Sequence, residues 1–260
     1  MDLGLGGRRA VVTGGSKGIG RGVALELAAE GARVCICARD RQEVAKTVAE
    51  LRAAGALADG FVADVTVPGD VDRLIADSAK ALGGVDILVN NAGGAHPGNF
   101  ESLTDEDWQA DLDVKLFSQV RCTRAALPLL RRSDAARVIN INSVYGKYPD
   151  PSFFATTVIR AACLNLTKVL AQELGPERIL VNSVNIGFVS TPQWENIHRR
   201  RAPEMGQDEF YSSLAQSEVP LGRFGSIEEV SGLVAFLSSD RASYITGSMI
   251  DVAGGMGKYV

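Results

Sequence analysis

The sequence contains few histidines, few cysteines and no long apolar run, and each absence excludes a class of protein. The four cysteines include no Cys-x-x-Cys pair, so we expect reduced thiols in the core rather than a metal or disulfide framework. No uninterrupted run of about 18 apolar residues is present, which argues against a membrane span. Residues 1–9 lack an apolar stretch, so no secretory signal is expected and a cytoplasmic location is the default expectation.

The charge balance also excludes a general nucleic-acid surface. The chain has 27 Lys and Arg against 31 Asp and Glu, for a net charge of −4, whereas nucleic-acid binders carry a basic excess. Its 260 residues are 46% hydrophobic, which is enough for one large α/β domain. We therefore expect a small-molecule substrate, with neither a nucleic acid nor a membrane as partner.

Strand and helix patterns alternate along the whole chain, without repeats or linkers. This alternation predicts an α/β fold with a doubly wound parallel sheet and helices on both faces, in a single domain spanning residues 1–260. Two of the predicted helices are long, at about Asp105 to Arg131 and at Phe154–Leu174. The predicted strands are Arg9–Thr13, Arg33–Ala38, Leu57–Val62, Val85–Asn90, Arg137–Asn142, Ile179–Ile186 and Ser248–Val252.

Residues 190–218 break this rhythm with a polar, charged and aromatic segment that follows a strand. Ligands of open α/β sheets bind beyond the carboxyl ends of the strands, so the segment is interpreted as a substrate lid. A solvated excursion without function is the alternative.

A glycine-rich turn lies between the first predicted strand and helix. Gly14, Gly18 and Gly20 are spaced as in a dinucleotide-binding turn, where glycine lets the backbone approach a pyrophosphate and the helix N-terminus attracts its charge.

The end of the second predicted strand favours a phosphorylated ribose. An acidic residue there would bind the ribose 2′-hydroxyl of NAD, but the chain has Ala38 followed by Arg39. Lys17 in the turn adds a second cation, so NADP(H) is favoured. Asp40 is the counter-signal that keeps NAD(H) possible.

The motifs Thr13-Gly14-x-x-x-Gly18-x-Gly20 and Asn90-Asn91-Ala92-Gly93, together with the tail from Pro220 to Gly255, resemble the short-chain dehydrogenase/reductase family. The resemblance covers nearly the whole chain. It implies a Rossmann-like sheet of about seven strands, a nicotinamide cofactor and a homo-oligomer, often a tetramer. It also implies a larger set of cofactor contacts: Ser16, Ile19, Asp64, Val65, Asn91, Ala92, Gly93, Arg160, Gly187, Val189 and Thr191.

The catalytic half of the family pattern is altered. The family uses Asn, Ser, and a Tyr-x-x-x-Lys pair. Ser143 matches, but Thr156 stands at the tyrosine position, Arg160 at the lysine position and Lys115 at the asparagine position. No tyrosine elsewhere in the chain is followed by lysine four residues later. The resemblance therefore implies an atypical member.

These replacements change the acid–base chemistry. A threonine hydroxyl is too weak an acid to replace a phenol by itself, so we expect Thr156 to position a substrate oxygen. Arg160 is expected to anchor the cofactor because guanidinium does not readily deprotonate. Lys115 beside Arg160 is a candidate acid, base or nucleophile, unless it simply pairs with Asp111 or Asp113 or reaches solvent. Tyr145 is a second candidate for the missing phenol, while His96 is interpreted as a loop residue at the cleft mouth.

Three functions remain open from the sequence. The first is an NADP(H)-dependent oxidoreductase that acts on a carbonyl or hydroxyl group through a rearranged proton relay. The second is a non-redox lyase, isomerase or dehalogenase on the same fold. The third is an inactive nucleotide-binding homologue. The intact glycine turn favours the first, but fold alone does not choose among them.

Overall fold

A computed structural model describes residues 2–257. Seven strands form one parallel sheet in the order β3-β2-β1-β4-β5-β6-β7, which confirms the doubly wound α/β prediction. The strands are β1 Arg9–Thr13, β2 Arg33–Ala38, β3 Ala58–Val62, β4 Ile87–Asn90, β5 Arg137–Ser143, β6 Leu180–Ile186 and β7 Met249–Val252.

Helices cover both faces of the sheet. Residues of α1, α2 and α9 pack with one set of strand side chains, and residues of α3, α5 and α6 pack with the other set. The α-helices are α1 Gly18–Ala29, α2 Arg41–Ala53, α3 Pro68–Leu82, α4 Asp105–Leu112, α5 Ser118–Leu130, α6 Phe154–Leu174, α7 Pro192–Arg201, α8 Gln207–Glu218 and α9 Ile227–Ser238. Both faces of the central strands are therefore buried, which explains their nearly continuous apolar sequences.

The predicted long helix from Asp105 to Arg131 is divided. A π-helical segment, Asp113–Phe117, separates α4 from α5. Such segments hold one extra residue per turn and shift the helix face that follows. Here the shift lets α5 pack against α3, while α4 and the π segment contact α6.

Helix α6 is long and apolar enough to meet the length and hydropathy criteria of a membrane span, over Phe154–Glu177. Its inner face, which includes Ile159, Cys163 and Leu174, is buried within the fold. These apolar residues therefore serve as core. All four cysteines are free and buried, as expected from the sequence.

The strand order reverses between β1 and β4, since β1 continues toward β2 on one side and β4 toward β5 on the other. Such a reversal opens a crevice at the carboxyl ends of the strands. The residues that follow β1, β4, β5 and β6 meet at this crevice.

Candidate active site

A cleft of about 580 Å³ occupies the crevice beyond the strand ends. Every cofactor-contact residue predicted from the sequence lines it except Asp64 and Val65. Asp64 instead accepts hydrogen bonds from the backbone and hydroxyl of Thr66 in the loop after β3. The predicted residues on the cleft wall are Gly14, Ser16, Lys17, Gly18, Ile19, Gly20, Arg39, Asn91, Ala92, Gly93, Arg160, Gly187, Val189 and Thr191.

The glycine turn is held against the loop that follows β4. Asn91 Nδ2 donates to the carbonyl oxygens of Thr13, at 3.0 Å, and Gly14, at 3.1 Å. Gly14 has a φ of +63°, and a Cβ atom there would lie 2.9 Å from the Ala92 Cα. Only glycine permits this close approach without strain.

The start of α1 is suited to an anion. Lys17 is the N-cap residue, but its side chain makes no capping hydrogen bond. The first N–H groups of an α-helix have no partner within the helix, and they carry the positive end of its dipole. A phosphate group above Gly18 would meet these N–H groups.

Three charged residues near the end of β2 gave conflicting signals for the cofactor in the sequence, and in the structure they have different surroundings. The Asp40 carboxylate caps α2 by accepting from the backbone N–H groups of Gln42, at 2.9 Å, and Glu43, at 3.2 Å. Lys17 Nζ lies 3.3 Å from the Glu43 carboxylate. Arg39 is exposed and lines the cleft. Capping thus holds one oxygen of the Asp40 carboxylate, Oδ1, against the start of α2.

Ser143 ends β5 and begins a single 3₁₀ turn, Val144–Gly146. Its Oγ accepts a hydrogen bond from the Tyr145 backbone N–H at 3.2 Å, which leaves the hydroxyl proton free to donate into the cleft. A Cβ at Gly146 would lie 2.9 Å from the Arg160 carbonyl group. The turn that carries Ser143 is therefore packed directly on α6, beside Thr156 and Arg160.

Behind the cleft wall, Thr156 belongs to a buried polar cluster. Its Oγ1 lies 3.2 Å from Lys115 Nζ and 3.0 Å from Asp111 Oδ2. Lys115 also contacts Asp111 Oδ1 in an ion pair. Thr156 lines the cleft, but Lys115 does not. The sequence predicted Lys115 in the cleft, whereas in the structure Lys115 lies behind Thr156, which is part of the cleft wall.

Lys115 is among the largest fully buried side chains, with only 1% exposed. Burial lowers the pKa of Lys115, the Asp111 carboxylate opposes this shift and the nearby Arg160 cation adds to it, so that the pKa is about 8. An ammonium group with this pKa can release and regain a proton near neutral pH. Pairing with Asp111 was the structural alternative for this lysine, and the pairing is present alongside the Thr156 contact.

The Arg160 guanidinium is fixed between β5 and the cleft. Its Nη1 donates to the Ile141 carbonyl at 3.0 Å. Its Nε is buried and has no hydrogen-bond partner among residues 2–257. A buried polar group without a partner is costly, so a ligand hydroxyl close to this group would be stabilising.

Tyr145 lines the cleft, but its environment does not suit a proton donor. Burial raises the pKa of its phenol, and the Asp150 carboxylate raises it further. The ring stacks on Phe153 with 5.3 Å between centroids. Tyr145 therefore forms an apolar wall next to Ser143.

The sequence reasoning missed most of the apolar wall. Phe153, Phe188, Trp194 and Met256 line the cleft. Phe188 and Trp194 contact edge to face, 4.7 Å between centroids. Phe188 and Trp194 are distant in sequence from Ser143, and no motif identifies them. Trp194 does lie within the predicted 190–218 segment.

The predicted 190–218 segment folds as α7 and α8. Helix α7 contributes Gln193, Trp194, Asn196 and Ile197 to the cleft wall, and the Arg201 guanidinium lies 5.9 Å from the Phe153 ring centroid. The segment lines one side of the cleft, and its role as a lid stays a prediction.

The chain matches the family model described as enoyl-(acyl carrier protein) reductase over residues 14–257. This match covers the glycine turn, the cleft and the tail. The chain belongs to the short-chain dehydrogenase/reductase family. A 3-oxoacyl-(acyl carrier protein) reductase and an L-sorbose reductase are among the proteins that match this chain.

Three similar proteins show the range of the family. L-sorbose reductase from Gluconobacter frateurii, solved with NADPH and L-sorbose, is 33% identical over the whole of both chains with a TM-score of 0.96. A short-chain oxidoreductase from Pseudomonas aeruginosa, solved with NADPH and described as containing an atypical catalytic centre, is 36% identical, with 96% of this chain and 97% of that chain covered and a TM-score of 0.90. A 3-oxoacyl-(acyl carrier protein) reductase from Synechocystis is 35% identical, covering 95% of this chain and 96% of that protein.

Proposed function

We propose that the protein is an NADP(H)-dependent oxidoreductase that reduces the carbonyl group of a small organic substrate, using Ser143 and Thr156 to hold the carbonyl oxygen. The observation that carries this proposal is the position of Thr156, a residue of the cleft wall whose Oγ1 lies 3.2 Å from Nζ of the buried Lys115. The Thr156 hydroxyl, a weak acid that would contact the substrate, is thereby coupled to the Lys115 ammonium, a stronger acid that would not contact it.

The residues of the cleft fit a nicotinamide dinucleotide. The uncapped start of α1 would bind the pyrophosphate, Arg39 would bind a 2′-phosphate, and Arg160 would bind the hydroxyl groups of the nicotinamide ribose. NADPH in the G. frateurii and P. aeruginosa relatives supports the same cofactor here. When bound, it supplies the hydride.

The protein then has to orient the carbonyl and provide one proton. In the free site the Thr156 hydroxyl donates to Asp111 Oδ2. When substrate binds, this hydroxyl turns to donate to the carbonyl oxygen together with Ser143, which stabilises the negative charge that develops on that oxygen. The Thr156 hydroxyl proton passes to that oxygen while a Lys115 ammonium proton passes to Thr156 Oγ1. The threonine ends as it began, the product carries a hydroxyl group, and Lys115 ends neutral. Thr156 is thus a proton carrier and Lys115 the acid that acts through it.

The cofactor experiment comes first. We expect NADPH to quench the emission of Trp194 in the cleft wall and to raise the melting temperature, more strongly than NADH. A panel of ketones, keto sugars and 3-oxoacyl thioesters is then assayed through loss of the reduced-nicotinamide absorbance, with Ser143→Ala as the control. The absence of any effect of NADPH would reject the oxidoreductase. Binding without turnover across the panel would favour an inactive homologue, and conversion of substrate without cofactor would favour a non-redox enzyme.

A further inference from the structure

A chain of polar groups continues from Thr156 away from the cleft. Asp111 on α4 is 2% exposed, and its two carboxylate oxygens are used separately. Oδ2 accepts from Thr156 at 3.0 Å and Oδ1 contacts Lys115. The carboxylate therefore contacts both Lys115 and Thr156, and like Lys115 it does not line the cleft.

His96 connects this carboxylate to the surface. Its Nδ1 lies 3.9 Å from Asp111 Oδ1, and its Nε2 lies 3.3 Å from Asp107 Oδ1. The imidazole is 35% exposed and Asp107 is 36% exposed, so both meet water. The loop that carries His96 is fixed at the same place, because its carbonyl lies 3.4 Å from Thr156 Oγ1.

We propose that His96 and Asp111 form the route by which a proton from water returns to Lys115 after each turnover. A proton taken up by the imidazole passes from Nδ1 to Asp111 Oδ1, and from there to the neutral Lys115 amine. The carboxylate and the imidazole regain their starting states, and Lys115 becomes an ammonium group again. The role rests on the proposed function, because Lys115 loses its proton there.

The surroundings of Lys115 leave few other routes. Among the described residues, its ammonium makes hydrogen bonds only to Asp111 and Thr156. Arg160 and Cys163 face it from α6, but a guanidinium repels an incoming proton and the thiol donates to the Lys115 carbonyl oxygen. Thr156 leads to the cleft, which substrate and cofactor fill during reaction. Asp111 leads instead to His96, which is partly exposed.

The step from His96 to Asp111 requires a small movement of the side chains. At 3.9 Å the two atoms are too far apart for a hydrogen bond. A small rotation of the half-exposed ring, or one bridging water, closes the gap.

The decisive experiment measures proton exchange at Lys115 directly, without turnover. The protein is labelled with ¹⁵N-lysine, the Lys115 Nζ resonance is assigned through Lys115→Met, and its hydrogen exchange with water is followed by NMR. We expect His96→Gln, which keeps the size of the side chain but cannot relay a proton, to slow the exchange about tenfold or more. His198→Gln, at the chain's other histidine, is the matched control and should leave it unchanged.

The sign of the effect separates a relay from a structural role. If His96 only sealed the cluster, its replacement would admit water and speed the exchange. Faster or unchanged exchange in His96→Gln would overturn the proposal. His96→Ala tests it a second way, since added imidazole should fill the space and restore fast exchange.

Turnover adds an independent readout. In a confirmed NADPH assay at low buffer concentration, we expect His96→Ala to lower kcat about tenfold with little change in KM, and imidazole to recover most of it. A loss that imidazole does not recover contradicts the route. If the wild-type protein shows no turnover, the proposed function fails, but the exchange measurement still decides on the route.

Discussion

Lys115 Nζ lies 3.2 Å from Thr156 Oγ1, so a fully buried ammonium group contacts the hydroxyl of a residue that lines the cleft. In the proposed reaction, Thr156 supplies contact with the substrate and Lys115 supplies acidity. The usual tyrosine of the family combines both properties in one phenol. Dividing them between two residues makes each property separately testable.

Thr156 tests the contact. We expect Thr156→Val, which keeps the shape but removes the hydroxyl, to lower kcat about 100-fold, because the proton carrier is lost. Thr156→Ser is the matched control and should stay within about tenfold of wild type, because its hydroxyl can occupy the same place. Steady-state rates with saturating NADPH measure both. Equal losses in the two variants would show that the methyl group, not the hydroxyl, is what the site requires.

The pH dependence of kcat tests whether Lys115 is the acid. Its pKa of about 8 predicts that kcat for reduction is level at lower pH and falls as pH rises above 8, where the ammonium form disappears. The reverse oxidation should accelerate over the same range, since it needs the neutral amine. The profile of Lys115→Met should lose this step. A wild-type profile without a step near that pH contradicts Lys115 as the acid.

The same shift predicts how stability depends on pH. Lys115 has an ordinary pKa of 10.5 when unfolded and about 8 when folded, so between these values the unfolded chain holds more protons. The free energy of unfolding should therefore rise with pH across this window, by up to about 3 kcal/mol, as the buried ammonium group loses its charge. Urea unfolding of wild type and Lys115→Met, compared at pH 8 and pH 10, isolates this contribution from that of the tyrosines.

The ion pair with Asp111 gives a stability cycle at neutral pH. Lys115→Met leaves a buried carboxylate without its cation and should destabilise the fold by about 3 kcal/mol or more. Adding Asp111→Asn removes the unpaired charge, so the double variant should recover most of that loss. Recovery of stability without recovery of kcat would separate the structural role of the pair from its chemical role. A double variant as unstable as the single one would show that the two residues are not energetically coupled.

Arg39 tests the cofactor. Arg39→Ala should weaken NADPH binding about tenfold or more and leave NADH nearly unchanged, because only NADPH has a 2′-phosphate to pair with the guanidinium. Arg33→Ala, at the opposite end of β2, is the control for loss of a surface charge. Titration by fluorescence measures all three proteins. Equal weakening of NADPH and NADH would remove Arg39 from phosphate recognition.

The parallel sheet and the cofactor half of the cleft could be predicted from the sequence because their signals are local. Each signal is a short pattern whose residues lie close together in sequence, as in the glycine turn, the arginine at the strand end and the apolar strand runs. The helix Phe154–Leu174 was predicted to the residue because its helical periodicity is uninterrupted.

The chemistry could not be predicted in the same way, because it depends on contacts between distant segments. Asp111 is four residues from Lys115, but Thr156 and His96 join them only in three dimensions. The sequence also could not assign Asp40, since capping of α2 and binding of a ribose require the same carboxylate. Lys115 was identified as unusual, but whether it reached the cleft depended on the π-helical segment.

That segment makes the site depend on chain length as well as on residue identity. Deleting one residue within 113–117 would convert the π turn into an ordinary α-helical turn and rotate α4 relative to α5 by about 100°. The packing of α5 on α3 could survive this rotation, whereas Asp111 would face away from α6. Relatives that differ by one residue here are therefore expected to lack the contact between the two side chains even if they keep both the lysine and the aspartate.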